Sequence, residues 1–132
     1  MILTRKHKKK ILTAFDDLYS WARSNLRPEE LNEFNTLLWS DLVSNFPTDL
    51  KIGAYESSKY HKGSLLTRLT LGQEVGIAVA LGKMGHWVAN NDNLSQEEYN
   101  MLTSYIYGIA EAISIELFND MVDEIYRLEL RG

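Results

Sequence analysis

Three histidines are the side chains of this sequence best suited to acid–base or metal chemistry, because the chain contains no cysteine. His7 lies among basic residues, His61 lies in a segment rich in Ser, Lys and Tyr, and His86 lies in an apolar segment. None belongs to a His-Glu-x-x-His or Glu-x-x-His motif, and the chain has neither a Gly-x-Ser-x-Gly turn nor a Gly-Lys-Ser/Thr phosphate loop. We therefore expect no enzyme activity, no metal site and no cofactor. An enzyme without a recognisable motif, using His61 or His86, is the third interpretation.

The carboxyl-terminal part of the chain has a strong excess of negative over positive charge. Residues 92–132 contain nine carboxylates and two arginines, whereas the whole chain has a formal charge of −4. The carboxylates alternate with apolar residues at spacings of three and four, which is typical of the solvent-facing side of a helix. Such an acidic face fits a basic groove on another protein. The acidic residues of the predicted partner surface are Glu116, Asp120, Asp123 and Glu124.

A basic cluster opens the sequence and supports an alternative function. Its five charges could neutralise phosphates and give salt-dependent, sequence-independent binding to nucleic acid. The remaining 122 residues carry a net charge of −9, which repels phosphate and makes nucleic acid the less favoured partner. The residues of this alternative site are Arg5, Lys6, Lys8, Lys9 and Lys10.

Four amphipathic segments predict an all-α bundle, with helices over residues 4–24, 28–46, 70–90 and 95–129. The third segment is ambiguous, because its apolar run from 75 to 81 also suits a buried strand. We favour a helix because small residues recur along one face, which would let another backbone approach closely. Capping-box pairs mark the starts of the last two helices: Thr70 with Gln73, and Ser95 with Glu98.

Residues 47–63 lack a helical period and predict one long irregular loop, with a short strand as an option around residues 50–55. A loop of this length in a small domain is usually functional, so it is the second part of the predicted partner surface. Its candidate contact residues are Tyr55, Lys59, Tyr60 and Lys62. Aromatic candidates for anchoring a partner lie elsewhere in the chain: Trp39, Trp87, Tyr105, Tyr107 and Tyr126.

The last predicted helix is too long for a compact monomer of this size. An unbroken helix over 95–129 would extend for roughly 50 Å at 1.5 Å per residue. Either it kinks near Gly108, or a second chain covers its excess apolar surface. The second option predicts a homodimer.

Together these features predict a single all-α domain over residues 1–132, located in the cytoplasm. No secretory signal is recognisable, and the longest apolar run is too short to span a membrane. The favoured function is a small acidic, non-enzymatic binding protein, such as an inhibitor, immunity or regulatory factor, that acts by protein–protein contact. The alternative is a nucleic-acid-binding accessory protein that uses the basic amino-terminal arm.

Overall fold

A computed structural model describes residues 1–56 and 65–131 and confirms the all-α bundle, with 82% of these described residues in helices. A 3-10 turn and a short two-stranded sheet accompany the helices. In chain order the elements are β1 (Ile2–Thr4), α1 (Arg5–Asn25), α2 (Pro28–Asn35), a π-helical segment (Thr36–Leu42), a 3-10 turn (Val43–Asn45), α3 (Thr48–Tyr55), β2 (Leu66–Arg68), α4 (Leu71–Ala89), α5 (Gln96–Ile113) and α6 (Ile115–Arg131).

Helix α1 forms as the apolar spacing predicts. The Thr4 side chain accepts a hydrogen bond from the His7 backbone N–H, and the His7 ring nitrogen Nδ1 accepts one from the Thr4 N–H at 3.3 Å. These bonds satisfy two amide donors that a helix start otherwise leaves free. The apolar stripe of this amphipathic segment is buried in the core: Ile11, Phe15, Leu18 and Ala22.

The second predicted helix is continuous but changes its winding. It begins as α2 at Pro28, whose missing N–H costs nothing at a helix start. From Thr36 to Leu42 it widens to a π-helix, in which the Val43 N–H donates to the carbonyl of Leu38, five residues earlier. The segment ends at Phe46, as the following proline predicts.

The prediction of an irregular loop over 47–63 is wrong in its first half, as is the optional strand at 50–55. Residues Thr48–Tyr55 form α3, with Leu50 and Ala54 buried. Gly53 lets this helix lie close to α1, since an added Cβ there would come within 2.5 Å of a Leu12 methyl carbon. The helical pattern escaped the sequence analysis because the helix is short and contains this glycine.

Strands β1 and β2 pair antiparallel, with Leu3 opposite Thr67. Leu3 and Leu69 insert into the core, which ties the start of the chain to the segment before α4. The sequence analysis did not predict this pairing.

Helix α4 confirms the helical interpretation of residues 70–90 and of its capping box, because Thr70 and Gln73 bond each other's backbone N–H groups. Two of its glycines, Gly82 and Gly85, face α6. A Cβ added at Gly82 would lie 2.7 Å from the Glu124 Cβ, and one added at Gly85 would lie 2.8 Å from an Ile125 methyl carbon. The absence of side chains at these two glycines is therefore what lets α6 lie so close to α4.

The long last helix is two helices, and the break lies at Ser114 rather than near Gly108. Ser114 is extended, its N–H donates to the Ala110 carbonyl at 3.1 Å, and its side-chain oxygen accepts from the Leu117 N–H at 3.0 Å. One residue thus ends α5 and caps α6. The break lets α5 pack on α1 and α6 pack on α4, so helix length no longer argues for a second chain. The homodimer stays a prediction.

Candidate functional site

The predicted acidic face of α6 divides into an inner and an outer set of carboxylates. Glu124 belongs to the inner set: its side chain is only 11% exposed, packs over Gly82 and accepts hydrogen bonds from the Arg127 guanidinium. The hydrogen bond from Arg127 lowers the pKa of the Glu124 carboxyl. The expectation that Glu124 is a free contact residue is therefore corrected, because the fold already uses it.

Glu116, Asp120 and Asp123 form the outer set, which we call the acidic row. The spacings of four and three residues place them along one side of α6, and all three are exposed. Within the part of the chain that the structure describes, none of them takes part in an ion pair. The acidic row is thus charge that the described fold does not use.

Tyr55 lies at the end of α3, where its exposed ring stacks on Trp39 with centroids 5.3 Å apart. Trp39 also meets Tyr19 edge-on, so Tyr55 is the outermost member of an aromatic cluster. Helix α3 packs on α1 and the 3-10 turn, whereas α6 packs on α4 and α5. The acidic row and Tyr55 therefore belong to different helix groups. The other loop candidates, Lys59, Tyr60 and Lys62, lie outside the described residues.

The five residues of the basic arm differ in exposure: Lys8 is buried and the other four are exposed. Lys8 is buried, and its ammonium donates to Asp49 at 3.1 Å and to the Thr67 hydroxyl at 2.8 Å. It holds α1 to α3 and β2, so its assignment to a nucleic-acid surface is corrected. Arg5 is exposed. The other three basic residues, Lys6, Lys9 and Lys10, line a groove of about 720 Å³ between α1 and α5. Two carboxylates, Asp17 and Glu111, line the same groove.

A cleft of about 770 Å³ that the sequence does not predict lies between α2, the end of α4 and the turn that follows it. Four carboxylates and one lysine are among the residues that line it. The residues of this acidic cleft that matter below are Glu29, Glu30, Glu33, Lys83, Trp87 and Asp92.

Buried polar contacts organise the acidic cleft. The Glu30 side chain is 8% exposed; its Oε1 accepts from the Arg27 Nε at 3.2 Å, while Oε2 is buried without a hydrogen-bond partner among the described residues. The Trp87 indole N–H donates to Glu33 at 2.8 Å, and the indole ring packs against Phe34. Glu30, whose Oε2 has no partner among the described residues, and Trp87 thus line the same cleft.

His86 lies at the edge of this cleft and is tied to α6. Its Nδ1 lies 3.1 Å from Glu129, which also accepts from the Asn90 side-chain amide at 3.0 Å. The hydrogen bonds from Asn90 and then His86 lower the pKa of the Glu129 carboxyl. His7 serves as a helix-capping residue, and His61 lies outside the described residues. The two described histidines therefore have identifiable structural partners.

Comparison of the chain with protein-family models, with curated proteins and with solved structures finds no match. Over residues 1–56 and 65–131, no three metal-ligating side chains converge on a point, and no helix combines the length and apolar character needed to cross a membrane.

The sequence held one sign of the cleft, the carboxylates Glu29, Glu30 and Glu33 on the first turns of α2. Glu29 and Glu30 lie in the first turn of α2, where carboxylates ordinarily complement the helix dipole, so their presence there does not by itself indicate a cleft. Their approach to Trp87 depends on the packing of α2 against α4 and could not be derived from spacing within one helix.

Proposed function

We propose that this chain is a small cytoplasmic, non-enzymatic binding protein, of the inhibitor, immunity or regulatory kind, that contacts a basic surface on another protein. The observation that carries the proposal is the acidic row on α6, formed by Glu116, Asp120 and Asp123. These carboxylates are exposed and take part in no ion pair of the described residues, in contrast to Glu124 of the same helix.

Complementary charge mainly governs how fast and how selectively two proteins associate. Three like charges along one side of a helix raise the local negative potential and favour a cationic partner over a neutral one. The close packing of α6 on Gly82 and Gly85 supports this role, because a row held on a rigid element loses little conformational freedom on binding.

The test is reversal of the acidic row to lysine at all three positions. The tagged protein is used to capture partners from a native lysate, with and without nuclease. The matched control reverses Asp17, Glu97 and Glu111, which are exposed on α1 and α5 and change the net charge equally. We expect the row variant to lose a nuclease-resistant protein that the control retains, with little change in melting temperature because the residues are on the surface. Capture that survives reversal of the row would refute the proposal.

The homodimer is a separate part of the proposal, supported by an exposed apolar surface at the start of α4. Leu71 and Val75 lie 11 and 7 residues before Gly82, which puts them on the same helical face that packs on α6. Both are exposed, as is Ile115, the first residue of α6. We expect light scattering to give a dimer mass that falls to the monomer mass in the Leu71→Ser, Val75→Ser double variant. A monomer mass for the parent chain at micromolar concentration would refute this part.

Nucleic-acid binding is the second candidate, and the groove between α1 and α5 is the observation that favours it. Three lysines of the basic arm line that groove: Lys6, Lys9 and Lys10. Asp17 and Glu111 line it too, which weakens its attraction for phosphate. The candidate predicts binding whose log affinity falls linearly with log salt and weakens when these lysines become glutamine. Lys8 stays unchanged in that variant because it is buried. Salt-independent binding, or full binding by the variant, would eliminate the candidate.

A further inference from the structure

The acidic cleft has the electrostatic character of a cation site. Four of its lining side chains are carboxylates and one is an ammonium, so its walls are net negative. Arg27 at its border satisfies only one oxygen of Glu30 and leaves Oε2 without a partner among the described residues. A buried carboxylate oxygen without a donor is unfavourable, and a cationic N–H group that reached Oε2 from the cleft, with a turn of the Glu30 side chain, would relieve this.

The geometry favours an organic cation over a metal ion. No group of three metal-ligating side chains forms anywhere in residues 1–56 or 65–131, and the cleft is far larger than a single ion requires. The cleft also contains Trp87, the residue type that binds cations most strongly through its ring face. Carboxylates beside an indole are suited to a group that is both charged and flat or partly apolar.

We propose that the acidic cleft binds a guanidinium or primary ammonium group. The group is carried either on an arginine or lysine side chain of another protein or on a small free amine. Glu30 accepts hydrogen bonds from the N–H groups of the bound cation. Glu33 adds negative charge while it accepts the hydrogen bond from the Trp87 indole N–H, and the Trp87 ring forms an aromatic wall of the cleft. The cleft involves none of the three residues of the acidic row, so the proposal does not depend on that row.

The test follows the indole N–H signals of the three tryptophans by nitrogen-15 NMR, with the Trp87 signal assigned from a Trp87→Phe variant. Three probes are titrated: N-acetyl-arginine amide, agmatine, and N-acetyl-citrulline amide, which has the shape of the first probe without its charge. We expect saturable shifts of the Trp87 signal with the charged probes and none with the citrulline probe. Binding of the arginine probe alone indicates a protein side chain, and equal binding of agmatine indicates that a free amine suffices.

Charge-neutralising variants then locate the site. Glu30→Gln keeps the side-chain shape and is expected to weaken binding about tenfold, the loss typical of a charged hydrogen bond. Glu33→Gln is the second variant, in case Glu30→Gln fails to fold. Glu33 is exposed on α2, and a glutamine there keeps an oxygen that can accept the hydrogen bond from the Trp87 indole N–H. Glu97→Gln, exposed on α5 outside the cleft, is the control and should bind normally. The proposal is overturned if the citrulline probe binds as well as the arginine probe, if no charged probe shifts the Trp87 signal, or if the folded cleft variants bind like the control.

Discussion

Replacing Gly82 with alanine tests whether the close approach of α4 and α6 determines stability. In a helix interior this change alone favours the helix by about 1 kcal/mol. Here the new methyl would lie 2.7 Å from Cβ and Cγ of Glu124 and 3.2 Å from the Met121 carbonyl oxygen. Carbon atoms prefer about 3.5–4.0 Å, and overpacking costs about 1–3 kcal/mol. Because Cβ and the carbonyl oxygen move only with the backbone, α6 must shift, and the two effects leave a net loss of up to about 2 kcal/mol.

Gly72→Ala is the matched control on the same helix. The nearest atom to its added methyl would be the hydroxyl oxygen of Thr70, two residues earlier, at 4.0 Å, which is an ordinary van der Waals contact. We expect a gain of about 0.5 kcal/mol, mainly from the reduced freedom of the unfolded chain. The assay is reversible thermal unfolding followed by circular dichroism, where 1 kcal/mol corresponds to about 3–5 °C at this chain length. Equal stabilisation by the two variants would refute the argument that Gly82 is required for close packing.

Three further changes test other contacts of the fold. Lys8→Ala removes a buried ammonium that donates to Asp49 and to the Thr67 hydroxyl and should cost about 2–3 kcal/mol in urea unfolding, whereas exposed Lys6→Ala should cost less than about 0.5 kcal/mol. Ser114→Ala removes the hydroxyl that accepts from the Leu117 N–H and should cost about 1 kcal/mol, with Ser114→Asp restoring most of the loss. Glu129→Gln should reduce the loss of stability that the parent protein shows at acid pH. Hydrogen bonds from Asn90 and His86 hold the pKa of Glu129 below its ordinary value in the folded state, so the ionised carboxylate stabilises the fold near neutral pH and this stabilisation is lost as the pH falls through the folded-state pKa.

Each of these three has a clear contrary result. Equal urea midpoints for Lys8→Ala and Lys6→Ala would mean that the Lys8–Asp49 pair contributes nothing net. A Ser114→Ala protein as stable as the parent would mean that the α6 start does not need its side-chain cap. Parallel melting-temperature curves for Glu129→Gln and the parent from pH 6 to pH 3 would mean that the Asn90 and His86 contacts do not persist in solution.

The helices that the sequence predicted well are those whose apolar stripes run for several turns. α1 and α4 begin within one residue of the expected positions, because capping residues and periodicity are local signals. The break at Ser114 also has a local cause, since a serine side chain can cap the start of the next helix. The sequence does not reveal this break because the apolar stripe continues on both sides of Ser114. Helix α3 offers only two turns and a glycine, so its pattern is too short to separate from a loop.

Features formed by distant segments were beyond local reasoning. The pairing of Ile2–Thr4 with Leu66–Arg68 joins residues more than 60 positions apart and leaves no periodic trace in such short strands. Glu124 is largely buried and paired with Arg127, whereas its neighbour Asp123 is exposed, and this difference depends on where α4 packs. The acidic cleft likewise exists only because α2 and α4 bring Glu30 and Trp87 to one place.

The single-residue joint at Ser114 has a consequence for how the bundle opens. With α5 held to α1 and α6 held to α4, Ser114 is the point where one helix pair passes into the other. Separating α6 exposes the apolar stripe of α4, so the amide hydrogens of these two helices should exchange with solvent deuterium at a common free energy. Those of α1 and α5 should form a second exchange class, with Ser114 at its boundary.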